Sequence, residues 1–154
     1  MATSAPTIGD EEENYSRFSV GVLKVTPQVL RLVFTSRHPD LKTFLAQNKS
    51  KCQQLRNSHV LTRDQWDQLY PATGTAALRD FDTTLLITLL RNLSNIPPPS
   101  SGWNKDPLPS DTSLGADLLR LRKIRNNHAH CKDMRIANTD FGKKWSDLTL
   151  VRMN

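Results

Sequence analysis

Cysteine is nearly absent. The 154 residues hold two, Cys52 and Cys131, far apart and with no CxxC partner, which excludes a disulfide framework and a zinc ribbon and leaves two reduced thiols. Six glycines are too few for a fold built on tight β-turns, and no segment alternates apolar with polar residues, so strand-built folds drop out and helix remains. Long apolar runs are also missing. The most apolar stretch, Thr83 to Leu93, is broken by Thr88, Arg91 and Asn92 and is shorter than the roughly 20 residues a bilayer needs, so no membrane partner is expected. Acidic residues are outnumbered, 15 against 21 Lys and Arg, giving a net charge of +6. Such a surface attracts polyanions, although a basic balance alone also fits a domain with no nucleic-acid partner.

The first residues contain no apolar core of a secretory signal and turn acidic at Asp10-Glu-Glu-Glu13, which reads as a disordered lead-in over 1–13 and a cytoplasmic protein. The remaining length, 14–154, suits one domain with one core. From Tyr15 the apolar spacing becomes helical through Phe18, Val22 and Val25. Thr26-Pro27 reads as a cap followed by a new helix, which should stop before Pro39. Asp40 is placed to cap a third helix that runs on to Leu55, and Thr62 with Gln65 forms a capping box before Trp66 and Leu69. Asp80 or Asp82 caps the Leu-rich helix, which has hardly a polar face and belongs at the centre. A long Pro-rich loop from Pro97 follows, with Trp103 expected to pin it to the core. Asp111 or Ser110 should cap the next helix, and Asn138 or Thr139 a last one bearing Phe141, Trp145, Leu148 and Val151.

That penultimate helix ends in Arg125-Asn126-Asn127-His128-Ala129-His130. On an ideal helix Leu114, Leu118, Leu121, Arg125 and His128 share one stripe, so a cation and an imidazole extend an apolar seam. A buried charge costs several kcal/mol unless paired, so Arg125 either meets a carboxylate such as Asp117 or faces a cleft that a phosphate can enter. His130 falls roughly 140° round the helix from Arg125. Either the helix unwinds near Asn127, or the site is composite, built from two copies of the helix. His128 is a second acid-base group or a core histidine. A zinc site from His128, His130 and Cys131 meets the difficulty that neighbouring positions on a helix diverge, and no metal or other cofactor is expected.

The R-N-x-x-x-H segment, the helix Phe81 to Asn92 and the loop carrying Gly102-Trp103-Asn104 and Leu108-Pro-Ser-Asp-Thr-Ser113 resemble HEPN domains of the type named after the DAZ-interacting zinc-finger ubiquitin ligase. The resemblance implies an all-α bundle of five or six helices with the long Pro-rich loop before the motif helix. It also implies a homodimer that sets two such segments in one cleft, and metal-independent cleavage of single-stranded RNA to a 2′,3′-cyclic phosphate and a free 5′-hydroxyl. In that chemistry His130 is the acid-base group, Arg125 stabilises the phosphorane and Asn126 orients, while Arg122, Lys123 and His128 are candidate RNA contacts. A different class of function is implied as well. Relatives of this kind also serve as catalytically silent dimerisation or adaptor modules in larger innate-immune signalling or ubiquitin-pathway proteins, and the present chain would then be an excised domain with protein partners.

Overall fold

The computed structural model describes residues 9–149. Among them there is no strand, and the chain forms an all-α bundle. Its first element is one rod, Asp10 to Arg37, made of α1 (Asp10–Val20), a π-helical turn (Gly21–Val25) and α2 (Thr26–Arg37). Then come α3 (Leu41–Gln47), α4 (Lys49–Asn57), α5 (Arg63–Leu69), a 3-10 turn (Leu78–Asp80), α6 (Thr83–Leu93), α7 (Leu114–Ala129) and α8 (Asn138–Thr149). With the rod counted once the described residues hold seven α-helices rather than five or six. Asn48 divides the expected third helix in two, its amide donating back to Phe44 O at 2.8 Å.

Two expectations about the rod are corrected. Helix begins at Asp10, so Asp10 to Glu13 are its first turn, not part of a disordered lead-in; residues 1–8 lie outside the described residues. Four carboxylates at a helix N-terminus oppose the positive end of the macrodipole, which offsets their mutual repulsion. At Thr26-Pro27 the helix does not stop. Proline lacks an N–H and crowds the carbonyl four residues back, and the chain accommodates it by widening to a π turn, where the backbone N–H and the hydroxyl of Thr26 both reach Gly21 O. Within the unbroken rod of 28 residues, an 18-residue window reaches a mean hydropathy of 1.2, so by length and composition alone it is long and apolar enough to cross a membrane. Splitting the sequence at Pro27 hides this. In the fold Phe18, Val22, Leu30 and Phe34 are buried and the rod packs on α6, α7 and α8, the pattern of a core helix.

The capping expectations hold where the signal is local. Asp40 accepts from Thr43 N, Asp82 from Leu85 N at 2.9 Å, and the Thr62–Gln65 box is complete in both directions. α6 lies between α2 and α7, with Leu85, Leu86, Leu89 and Leu90 fully buried in the main core. A satellite cluster of Phe18, Val22 and Ile136, joined by Tyr15, Ile124 and Phe141, binds α1 and α8 to the far end of α7. Ser113, not Asp111 or Ser110, caps α7 by accepting from Ala116 N at 3.2 Å. Asp111 instead gathers the loop, accepting from Ser113 N and from the N–H and hydroxyl of Ser100. These donors hold its carboxyl far below the usual carboxylate range. Asn138 is the first residue of α8 and its side chain accepts from Asn14 rather than capping; Val151 lies outside the described residues.

Candidate nucleic-acid interface

α7 carries the motif, and its two ends are held differently. At its start Gly115 approaches the Pro-rich loop so closely that a Cβ would meet Pro97 O at 2.6 Å. Arg120 pairs with the buried Asp117 at 3.1 Å and donates to Leu108 O at 2.8 Å, so the loop is laced to the helix. At its far end the segment after the motif is clipped to α1: Ile136 N donates to Glu11 O, Asn14 Nδ2 to Ile136 O, and Arg135 pairs with Glu12 at 3.2 Å. The acidic first turn of α1 therefore positions the exit from the motif.

His128 is a core histidine. Only 6% exposed, its ring stacks on Tyr15 at 4.8 Å and meets the edge of Phe18 at 5.4 Å. Its Nε2 lies 2.8 Å from Ser19 Oγ. Because that hydroxyl donates to Tyr15 O at 2.7 Å, the hydrogen-bond network assigns the ring proton to Nε2. Burial, aided by Lys144, lowers its pKa from the ordinary value and keeps it neutral. The ring faces α1, so the expectation that it touches RNA is corrected. The partner is a serine hydroxyl 109 positions away, which no local signal could reveal.

Arg125 is half-buried and donates from Nη1 to Asn126 Oδ1 at 3.3 Å. Among the described residues it meets no carboxylate, and Asp117 pairs with Arg120 instead. Asn126 thus touches the arginine. His130 is exposed just past the helix end, its N–H shared between Asn126 O and Asn127 O at 3.3 Å each. Since α7 stays helical through Ala129, it does not unwind near Asn127, and Arg125 and His130 remain roughly 140° apart round one helix. A single copy does not bring them together. Arg122 is exposed, and Lys123 is exposed and pairs with Asp106 at 2.7 Å. His128 is buried while His130 is exposed, and Cys131 Sγ turns back to Arg135 O at 3.6 Å, so the three sulfur and nitrogen groups diverge. Among the described residues no group of three His, Cys, Asp or Glu could hold a metal ion. An apolar cleft of about 410 Å³ opens beside the π turn, lined by Val25, Val29, Leu121, Trp145 and Leu148, and no motif residue reaches it.

An all-α bundle whose long, loop-braced helix ends in R-N-x-x-x-H is a HEPN-type domain. The DZIP3/hRUL138-like HEPN family matches residues 38–154, and the chain belongs to that family. The match begins after the Asp10 to Arg37 rod. The chain is 34% identical over 105 residues to the E3 ubiquitin-protein ligase DZIP3 of Homo sapiens, covering 64% of this chain and 9% of that protein. It is 40% identical over 62 residues to the Mus musculus protein of the same name, covering 40% of this chain and 5% of the relative. The chain thus spans less than a tenth of the length of these curated relatives. No solved structure matches.

Proposed function

We propose that this domain binds single-stranded RNA in the cytoplasm and cleaves it as a homodimer, with each active centre formed by Arg125 of one copy and His130 of the other. The observation that carries this reading is the state of Arg125: a half-buried arginine that meets no carboxylate among the described residues, on a basic helix that ends at an exposed His130. Charge of that kind is costly unless an anion completes it.

The 2′-hydroxyl oxygen attacks the adjacent phosphorus as His130 takes its proton. The bond to the 5′-oxygen breaks and that oxygen takes a proton from water, while the protonated His130 returns its proton to solvent, leaving a 2′,3′-cyclic phosphate and a 5′-hydroxyl. Arg125 donates to the non-bridging oxygens as negative charge gathers on the phosphorane, and Asn126 holds the guanidinium in place. The test is incubation of end-labelled single-stranded RNA in EDTA. Cyclic-phosphate ends, with a 2′-deoxy substrate left intact, support the proposal; an intact RNA with a folded dimer overturns the cleavage step.

A second reading draws on the relatives, whose names are those of ubiquitin ligases. The domain would then be a silent dimerisation or adaptor module of a ubiquitin-pathway protein. An α7 that stays helical to Ala129 and so separates Arg125 from His130 round one helix favours it, and retained dimerisation with no RNA affinity would distinguish it.

A further inference from the structure

The Pro-rich loop is built as a platform rather than a tether. Gly102 turns it through φ +85°, Ser101 Oγ donates to Asp106 O at 3.0 Å, and Trp103 packs on the main core. Over the Trp103 ring sits the guanidinium of Arg91, 5.3 Å from the ring centroid, at the last turn of α6. A cation-π contact holds a guanidinium by its face and leaves the five N–H donors at its edge unused. Neither Arg91, Arg122 nor Trp103 has a side-chain hydrogen bond or ion pair to any other described residue. α6, which carries Arg91, packs against α7, which carries the exposed Arg122, and the pKa of Arg91 is lowered by burial first and by the Arg122 charge second. Two guanidiniums on packed helices thus keep their donors unpaired among the described residues, while the carboxylate of Asp106 engages Lys123.

We propose that Arg91, Trp103 and Arg122 form a phosphate clamp for the RNA backbone, at the α6–α7 seam and one helical turn before Arg125. The clamp rests on the RNA-binding reading above and extends it: it gives the strand a second foothold on the same helix. A phosphodiester between the two guanidiniums removes their repulsion and takes their planar donor edges, while Trp103 fixes the Arg91 fork. The net charge of +6 favours a polyanion over a single phosphate.

The experiment is fluorescence anisotropy with a fluorescein-labelled single-stranded uridine oligonucleotide across a salt series, circular dichroism confirming that each variant is folded. Arg91→Gln and Arg122→Gln should each weaken binding about tenfold and lower the salt slope by about one. Trp103→Leu should weaken it about fivefold by loosening Arg91. Lys51→Gln on the exposed face of α4 removes the same charge and should change affinity by less than about twofold. Should Trp103→Leu unfold the protein, the exposed Arg122 still decides. RNA binding by the wild type with Arg91→Gln and Arg122→Gln no weaker than Lys51→Gln overturns the clamp alone and leaves the RNA reading standing. No RNA binding by the folded wild type overturns both, as does capture of a phosphoserine peptide through the same arginines in its place.

Discussion

Gly115 shows how little room a single side chain has beside the motif helix. A methyl there would meet Pro97 O, a backbone atom that cannot swing aside as a side chain can. Gly115→Ala should destabilise the fold by about 1–3 kcal/mol, read as a lower urea midpoint with unchanged slope. At His128 the sensitivity is to acid. Its folded pKa is lowered by burial, as is that of His38, which is held by Ser94 Oγ between Phe34 and Phe44. The unfolded chain therefore binds more protons near and below its ordinary histidine pKa of 6.5, so this contribution is present above the unfolded value and is lost as pH falls towards the folded one. Thermal unfolding should occur at lower temperature at about pH 5 than at about pH 7.5, and the difference should shrink in His128→Phe; an equal acid sensitivity in that variant would assign it elsewhere. At this scale the sequence is legible where donor and acceptor are neighbours. Asp40, Thr62 and Asp82 announce their caps within three residues, whereas Asp111 looks like a cap until the loop folds back and Ser100 claims it. Ser19 and His128, or Asn14 and Ile136, meet only through the fold.

The elements are readable from apolar spacing, apart from their joints. The run from Leu85 to Leu90 marks α6 as the central helix by its lack of a polar face, and Trp103 seats the Pro-rich loop as anticipated. Thr26-Pro27 misleads because it carries the usual sign of a helix start. What the sequence does not display is that a π turn can absorb a proline when the following helix is held by burial of Leu30 and Phe34. Thr26→Val keeps the shape but removes the buried hydroxyl bond to Gly21 O, and should cost about 0.5–1.5 kcal/mol in chemical denaturation. Thr62→Ala removes one arm of the capping box and should cost about 1 kcal/mol. A Thr26 variant as stable as the wild type would show that the π turn is held by its backbone alone.

For the whole molecule, family membership is legible because it rests on a contiguous segment and its flanking helices. The working geometry of the motif is not, since periodicity gives the angle between Arg125 and His130 without saying whether the helix bends to close it. α7 stays α-helical to Ala129. A cleaving site of these two groups therefore needs a second copy, and activity should rise with protein concentration through the dimerisation range. Wild-type cleavage independent of concentration down to a demonstrated monomer would contradict the shared site. Arg125→Ala and His130→Ala should each lower cleavage by about 100-fold or more.

The most direct test mixes those two inactive variants and follows RNA cleavage in EDTA. If Arg125 of one copy works with His130 of the other, a mixed dimer pairs the intact arginine of one chain with the intact histidine of the other and regains one functional centre. An equal mixture should then recover about a quarter of wild-type activity, half the dimers being mixed and each carrying one of two sites. Were each centre built within one chain, every chain in the mixture would still lack one group. No recovery, with mixed dimers shown to form and the wild type active, would contradict the composite site.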